Sequence, residues 1–164
     1  CQSNLKQIGS AVAMYIQDYD EALPPCNPDW RIDLDPYLNK VSSQTTKFWC
    51  PSAGKNPANG TYTSLCYAFN SYLVYNSPTY GKAFAVGPKM MVKIEHPSDR
   101  LMFVDCQPGI ATAEYSQITT DLARAQTCRH NDGANVLFID GHVKWVQGPK
   151  VLKNVDDLWG HDTM

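Results

Sequence analysis

The sequence predicts an α+β fold, a long N-terminal helix packed on an antiparallel sheet, from two observations at opposite ends of the chain. The first twenty residues repeat apolar side chains at helical spacing. Near the other end, two apolar runs flank Asp140-Gly141, which is the strongest short-range hairpin signal. The length of 164 residues is that of one domain, large enough to bury a core without metal or disulfide staples.

The helix comes first. Leu5, Ile8, Val12, Tyr15 and Tyr19 recur at steps of three and four, with Ile16 beside them, while Gln2, Lys6, Ser10, Gln17 and Asp18 fall largely off the stripe. That pattern gives one apolar face, about 30 Å long at 1.5 Å per residue. No N-capping residue precedes it, so the helix reads as cut from something longer, and Pro24-Pro25 is expected to stop it. A short second helix is expected over 29–38, where Trp30, Leu34, Tyr37 and Leu38 share a face that Pro36 interrupts. Residues 42–64 have loop composition around Phe48-Trp49-Cys50-Pro51. Strands are expected over 65–75, 90–94 and 100–104, the last two around the turn His96-Pro97-Ser98-Asp99. Residues 76–89 read as loop, and 119–126 as helical.

The hairpin pairs a strand over 134–139 with one over 142–146. A two-residue type I′ turn at Asp140-Gly141 would set Phe138 opposite Val143 and Val136 opposite Trp145. On that register Val136, Phe138, Val143 and Trp145 form the apolar side facing the N-terminal helix.

Composition excludes several functions. Hydrophobic residues are 43% and charged residues 18%, with a net charge of −2, so the chain reads as globular and lacks the basic stripe of a nucleic-acid binder. No apolar run approaches the ~18 residues that span a bilayer, and the polar opening Cys1-Gln2-Ser3-Asn4 is not a signal peptide. The six cysteines include no CxxC pair, and their wide spacing suits an oxidising compartment. At least one disulfide is expected, among Cys26, Cys50, Cys66, Cys106 and Cys128, with Cys50 the preferred participant because Trp49 anchors its segment. Closing a loop of that size is worth roughly 3–4 kcal/mol. Six cysteines leave fifteen connectivities open.

Several stretches together resemble one family. Cys1-Gln2-Ser3-Asn4-Leu5-Lys6-Gln7-Ile8-Gly9, with Tyr15 and Asp18-Tyr19-Asp20, is similar to the first soluble stretch of the bacterial prepilin-type proteins. His96-Pro97-Ser98-Asp99-Arg100 with Val104-Asp105 resembles their central strand pair. His130, nine residues, then Asp140-Gly141 resembles the signature of the H-x9-DG branch. Trp30, Pro36-Tyr37-Leu38, Cys50-Pro51-Ser52 and Tyr67, Asn70-Ser71-Tyr72-Leu73 fit the same pattern. The resemblance implies a pilin-like head over 1–164, with 1–20 as the second half of a spine helix and 21–164 as the head. It also implies a cleaved leader, an inner-membrane helix upstream, and a non-enzymatic role as a structural subunit of a pseudopilus or surface filament of a type II secretion-like system. The location implied is periplasmic or cell-surface, the partners are other pilin or pseudopilin subunits, and the head alone should be monomeric or weakly associated. A secreted or cell-surface binding module on the same scaffold, with glycan as a candidate ligand, is the alternative, with Tyr67, Tyr72, Tyr75 and Tyr80 as the aromatic stretch to carry it.

The chemical alternatives are weaker. His130 and Asp140 are about 33 Å apart along an extended strand, and only a fold-back at Asn131-Asp132-Gly133 could join them. The motif is therefore read as two structural demands, a side-chain hydrogen bond from His130 and a turn at Asp140-Gly141. Asp105, Asp132, Asp140 and His142 are calcium-type donors without EF-hand spacing, so no metal or other cofactor is expected. Cys128 lies two residues from His130, but no cysteine-hydrolase signature surrounds them. No GxSxG, HExxH, P-loop or dinucleotide motif is present.

Overall fold

The computed structural model of the chain describes residues 1–25, 30–38, 48–53, 66–70, 73, 91, 94–106, 112–113, 127–153 and 158–159. Helix α1 spans Gln2–Asp18. It is followed by α2 (Trp30–Leu34) and a 3-10 turn, Asp35–Tyr37, that begins where Pro36 removes a helical N–H donor. A second 3-10 turn covers Pro51–Ala53. The strands are β1 (Tyr67–Asn70), β2 (Leu101–Asp105), β3 (Thr112–Ala113), β4 (Gly133–Phe138) and β5 (Val143–Gln147), and a last helix, α3, covers Gly148–Lys153. They form one sheet of order β3-β1-β2-β4-β5. Its neighbours are antiparallel except β1 and β3, which run parallel.

The apolar stripe of α1 is buried at Leu5, Ile8, Val12 and Tyr15, each side chain contributing about 2 kcal/mol by leaving water. Gly9 lets the helix approach β4: a Cβ there would stand 2.9 Å from the Leu137 side chain. Tyr19, expected on the stripe, is instead 52% exposed and stacks on the Tyr15 ring with centroids 4.2 Å apart. The helix does not run to the prolines. It ends at Asp18 because Asp20 and Glu21 take left-handed conformations (φ 50° and 62°), and the Glu21 N–H returns to the Ile16 carbonyl at 2.8 Å. That is the six-to-one bond of a Schellman stop.

Two cores flank the sheet. On the α1 side, Leu5, Ile8, Val12 and Tyr15 pack with Trp30, Leu34, Tyr67, Phe69, Phe103, Leu137 and Ile139. On the opposite side, Ala68, Leu101, Val104, Val136 and Phe138 pack with Val151 of α3, Leu158 and Trp159. The sheet is thus covered on both faces, and β1, β2 and β4 are buried along their whole length.

The hairpin differs from the expected one by a single residue. Leu137 pairs with Val143, Val136 with Lys144 and Asn135 with Trp145. Only Gly141 has positive φ (91°) at this turn, and its N–H bonds the Phe138 carbonyl while the Phe138 N–H bonds the His142 carbonyl. The loop therefore holds three residues, Ile139, Asp140 and Gly141, a turn closed by a glycine bulge. One extra residue changes which side chains of the two strands share a face. Val143 packs on the α1 side as expected, but beside Leu137 and Ile139, whereas Val136 and Phe138, expected there too, face α3.

A turn with two positive-φ residues occurs at the other end of β4. Asn131 (φ 55°) and Asp132 (φ 57°) sit between His130 and Gly133, which exchange both N–H···O=C bonds at 3.2 Å, as a type I′ turn requires. The strand expected over 90–94 is not formed at the two positions described there: the Ile94 N–H bonds the Met91 carbonyl in a turn. The turn at His96–Asp99 is present, closed by Asp99 N–H to the His96 carbonyl at 2.9 Å. The helix expected over 119–126 lies outside the described residues.

Candidate functional site

The candidate site forms where α1, the Cys50 segment and the ends of β2 and β4 meet. Period-two alternation puts Phe103 and Asp105 on the α1 side of β2, and Asp105 pairs across the ladder with Tyr67 of β1. The Asp105 Oδ2 atom accepts from the Asn135 backbone N–H at 2.7 Å and from Asn135 Nδ2 at 2.8 Å. Both residues are buried. The first turn of α1 has no side-chain cap. It is held instead by Asn4, whose Nδ2 donates to the Trp49 carbonyl at 3.0 Å and to Tyr67 Oη at 3.2 Å, and by a Cys1–Cys50 disulfide with Cα atoms 5.3 Å apart.

His130 completes the cluster. The type I′ turn folds it back over the start of β4, and Trp145 Nε1 anchors its carbonyl at 2.7 Å. The Trp145 ring occupies the space over Gly133, where a Cβ would meet ring atoms at 2.4 Å, so only glycine fits beneath it. The imidazole Nε2 then lies 3.3 Å from Cys50 Sγ and 3.3 Å from Asp105 Oδ2. Arg129 reaches the same carboxylate from the side, its Nη1 3.9 Å from Asp105 Oδ1, while its Nη2 donates to the Cys106 carbonyl.

Burial governs the protonation of this cluster. It raises the Asp105 carboxyl above its ordinary range, against the opposing pull of the Asn135 hydrogen bonds and the positive charges of His130 and Arg129. It lowers His130, although Asp105 acts the other way. Burial also pushes the Cys66 thiol up and the Tyr67 phenol up. Asp105 Oδ1 and Arg129 Nη1 are buried and make no hydrogen bond. They face each other only across the 3.9 Å gap.

Cys50 takes part in a disulfide, as the sequence suggested, but its partner is Cys1, which stood outside the five candidates. The helix register decides this: Leu5 and Ile8 pack inward, and Cys1, one helical turn before Leu5, falls on the same side. Cys66, Cys106 and Cys128 stand outside that disulfide, and Cys26 lies outside the described residues. His130 and Asp140 are kept apart at the two ends of β4, a strand about 20 Å long at the usual rise. Asp140 stays at its own turn, where Oδ1 accepts from the His142 N–H at 3.1 Å and contacts His142 Nδ1 at 2.6 Å. Gly141 supplies the bulge.

The calcium-type set does not converge either. Asp105 is committed to Asn135 and His130, Asp140 to His142, and Asp132 lies in the turn beyond the far end of β4. Among the described residues, the His, Cys, Asp and Glu side chains whose donor atoms do gather, within 4.8 Å of one another, are Cys1, Cys50 and His130. Of the tyrosines offered as an aromatic surface, Tyr67 is buried, and Tyr72, Tyr75 and Tyr80 lie outside the described residues.

Cysteine, histidine and aspartate in contact invite comparison with a hydrolytic triad. A relay uses two imidazole nitrogens, one toward the nucleophile and one toward the carboxylate. Here the same Nε2 faces both, and the sulfur is oxidised to a disulfide. The arrangement can hold a proton or a cation between sulfur, nitrogen and carboxylate, but it is not aligned to pass a proton through the ring. Sequence reasoning found His130 and Cys50 singly and missed their contact. The available signal was Asn131-Asp132-Gly133, a second turn sequence that reverses the chain directly after His130.

Comparison of the chain with protein-family models, with curated proteins and with solved structures finds no match. No helix among the described residues is long and apolar enough to cross a membrane.

Proposed function

We propose that the chain is the pilin-like head of a non-enzymatic filament subunit, of the kind that builds a pseudopilus or surface filament in a type II secretion-like system. The observation that carries this reading is the mounting of α1. One apolar stripe buries the helix lengthwise on a largely antiparallel sheet, and a disulfide ties its first turn to the head. A helix fastened along its length and at its start can transmit load from a filament core to the head without shearing. The reactive side chains support the same reading, since His130, Asp105 and Cys50 are engaged with one another and not aligned for a relay. Other pilin or pseudopilin subunits are the partners in this proposal, through an upstream apolar helix inserted in the inner membrane. The head lies in the periplasm or at the cell surface.

The test is made in cells that produce the complete gene product. Immunogold labelling with antibodies to this chain should decorate filaments or the envelope. Loss of the prepilin peptidase should leave a longer, unprocessed form. A product that stays soluble, and whose size is indifferent to the peptidase, would sink the proposal.

A further inference from the structure

We propose that, once the Cys1–Cys50 disulfide is reduced, the two thiolates and Nε2 of His130 bind a thiophilic divalent cation of the zinc class, so that disulfide and metal are alternative occupants of one site. This inference is independent of the filament reading.

The donor set is the first ground. Two sulfurs and one imidazole nitrogen match a zinc site with three protein ligands and an open fourth position. The three atoms lie within 4.8 Å of one another. Zinc–ligand bonds of about 2.3 Å to sulfur and 2.0 Å to nitrogen, tetrahedrally arranged, place a sulfur and a nitrogen about 3.5 Å apart. Cys50 Sγ and His130 Nε2 already stand at 3.3 Å. The sulfurs must separate, and Cys1 Sγ must settle at the same reach from Nε2, from which it now stands no more than 4.8 Å. Cys1 can provide that movement, because it is half-buried, while Cys50 is fully buried.

The second ground is an electrostatic demand that Arg129, 3.9 Å from Asp105 Oδ1, meets only in part. Cys50 Sγ and Asp105 Oδ2 both lie 3.3 Å from Nε2. That nitrogen carries at most one proton, which can serve only one of them. Asp105 is fully buried, and its Oδ1 makes no hydrogen bond. A cation on Nε2 and the two thiolates would lie beside this carboxylate and offset its charge. Asp105, held by Asn135, faces the same Nε2 that the cation would take, so it acts through its charge beside the cation and not as an acceptor for the ring's other N–H.

The chemistry balances simply. A dithiol reductant gives two electrons and two protons to the Cys1–Cys50 bond and leaves as its own disulfide. The divalent cation then displaces the two thiol protons.

The experiment uses the whole chain, reduced anaerobically with a trialkylphosphine, which takes up the oxygen of water and leaves two thiols. It is titrated with cobalt(II) as the spectroscopic probe and then with zinc(II). One equivalent of cobalt should give thiolate-to-metal charge-transfer and tetrahedral ligand-field bands, and zinc should abolish them. The oxidised chain should give none. His130→Gln should weaken cobalt binding at least tenfold, and Cys1→Ser should remove most of the charge-transfer intensity. Near-UV circular dichroism follows the fold throughout. If reduction loosens the chain, zinc must restore the near-UV signal. Absence of the bands in the reduced parent, bands unchanged in both variants, or failure of zinc to restore a lost fold would each overturn the proposal.

Discussion

Replacing Cys1 by serine opens the disulfide while leaving the buried Cys50 thiol in place, so the effect is chiefly that of a lost cross-link. The bridge joins residues 49 apart in sequence. In the chain-entropy treatment, a closed loop of that size restricts the unfolded chain by about 14 cal/mol/K, or about 4 kcal/mol at 25 °C. For a domain of this length, each kcal/mol moves the midpoint by about 2–4 °C, so the melting temperature should fall by about 8–16 °C. The same bond anchors a helix start that has no side-chain cap, so amides in the first turn of α1 should also exchange faster in the variant. The assay is urea unfolding followed by tryptophan fluorescence, for the parent, the reduced parent and Cys1→Ser. The variant and the reduced parent should lose stability by similar amounts. The urea m-value should rise, because an uncrosslinked unfolded chain exposes more surface. A loss below about 1 kcal/mol in both would show that the bridge does not constrain the unfolded chain as this treatment requires.

Three further outcomes are expected. Gly133→Ala drives a Cβ into the Trp145 ring; because Trp145 is partly exposed it should swing out at a cost of about 1–3 kcal/mol, seen as a red shift in fluorescence, and an unshifted spectrum would contradict the packing. Gly141 sits at φ 91° with open space around it, so Gly141→Val should cost about 1–2 kcal/mol from backbone strain alone, whereas Asp140→Asn, which keeps an acceptor for the His142 N–H, should be near neutral in thermal melts with calcium or chelator. His130 is held below its ordinary value by burial, so the unfolded chain takes up its proton first. Its contribution is therefore present above about pH 6.5 and lost as pH falls toward the folded value. Asp105, raised by burial, has the opposite sign, and its contribution fades as pH rises through its folded value. His130→Gln removes the first contribution and, with it, the pull of His130 on Asp105, so the parent's melting temperature should fall relative to the variant's between about pH 7.5 and 5.5; parallel curves would show that His130 is not held neutral.

What the sequence determined by itself was local. The spacing of Leu5, Ile8, Val12 and Tyr15 specified both the helix and its buried face, because a 3.6-residue period leaves one choice of side. The apolar runs around Asp140-Gly141 specified a hairpin for a similar reason. The loop length was not legible. Two-residue and three-residue loops share the same Asp-Gly signal, and they differ in whether Ile139 belongs to the strand or the turn and in whether Asp140 takes positive φ. Packing resolved the ambiguity by placing Leu137 against Gly9 and Phe138 on the α3 side. Asp20 and Glu21 ended α1 before the prolines because the C-terminal bond to Ile16 compensated their left-handed strain. The candidate site belonged wholly to tertiary structure. Cys1, Cys50, Asp105 and His130 come from four separate stretches, and none carries a local signal for the others. Their meeting depends on where α1 crosses the sheet and on the turn that folds His130 back. A one-dimensional pattern encodes which face each residue presents; which faces then meet is set by the three-dimensional packing of the elements that carry them.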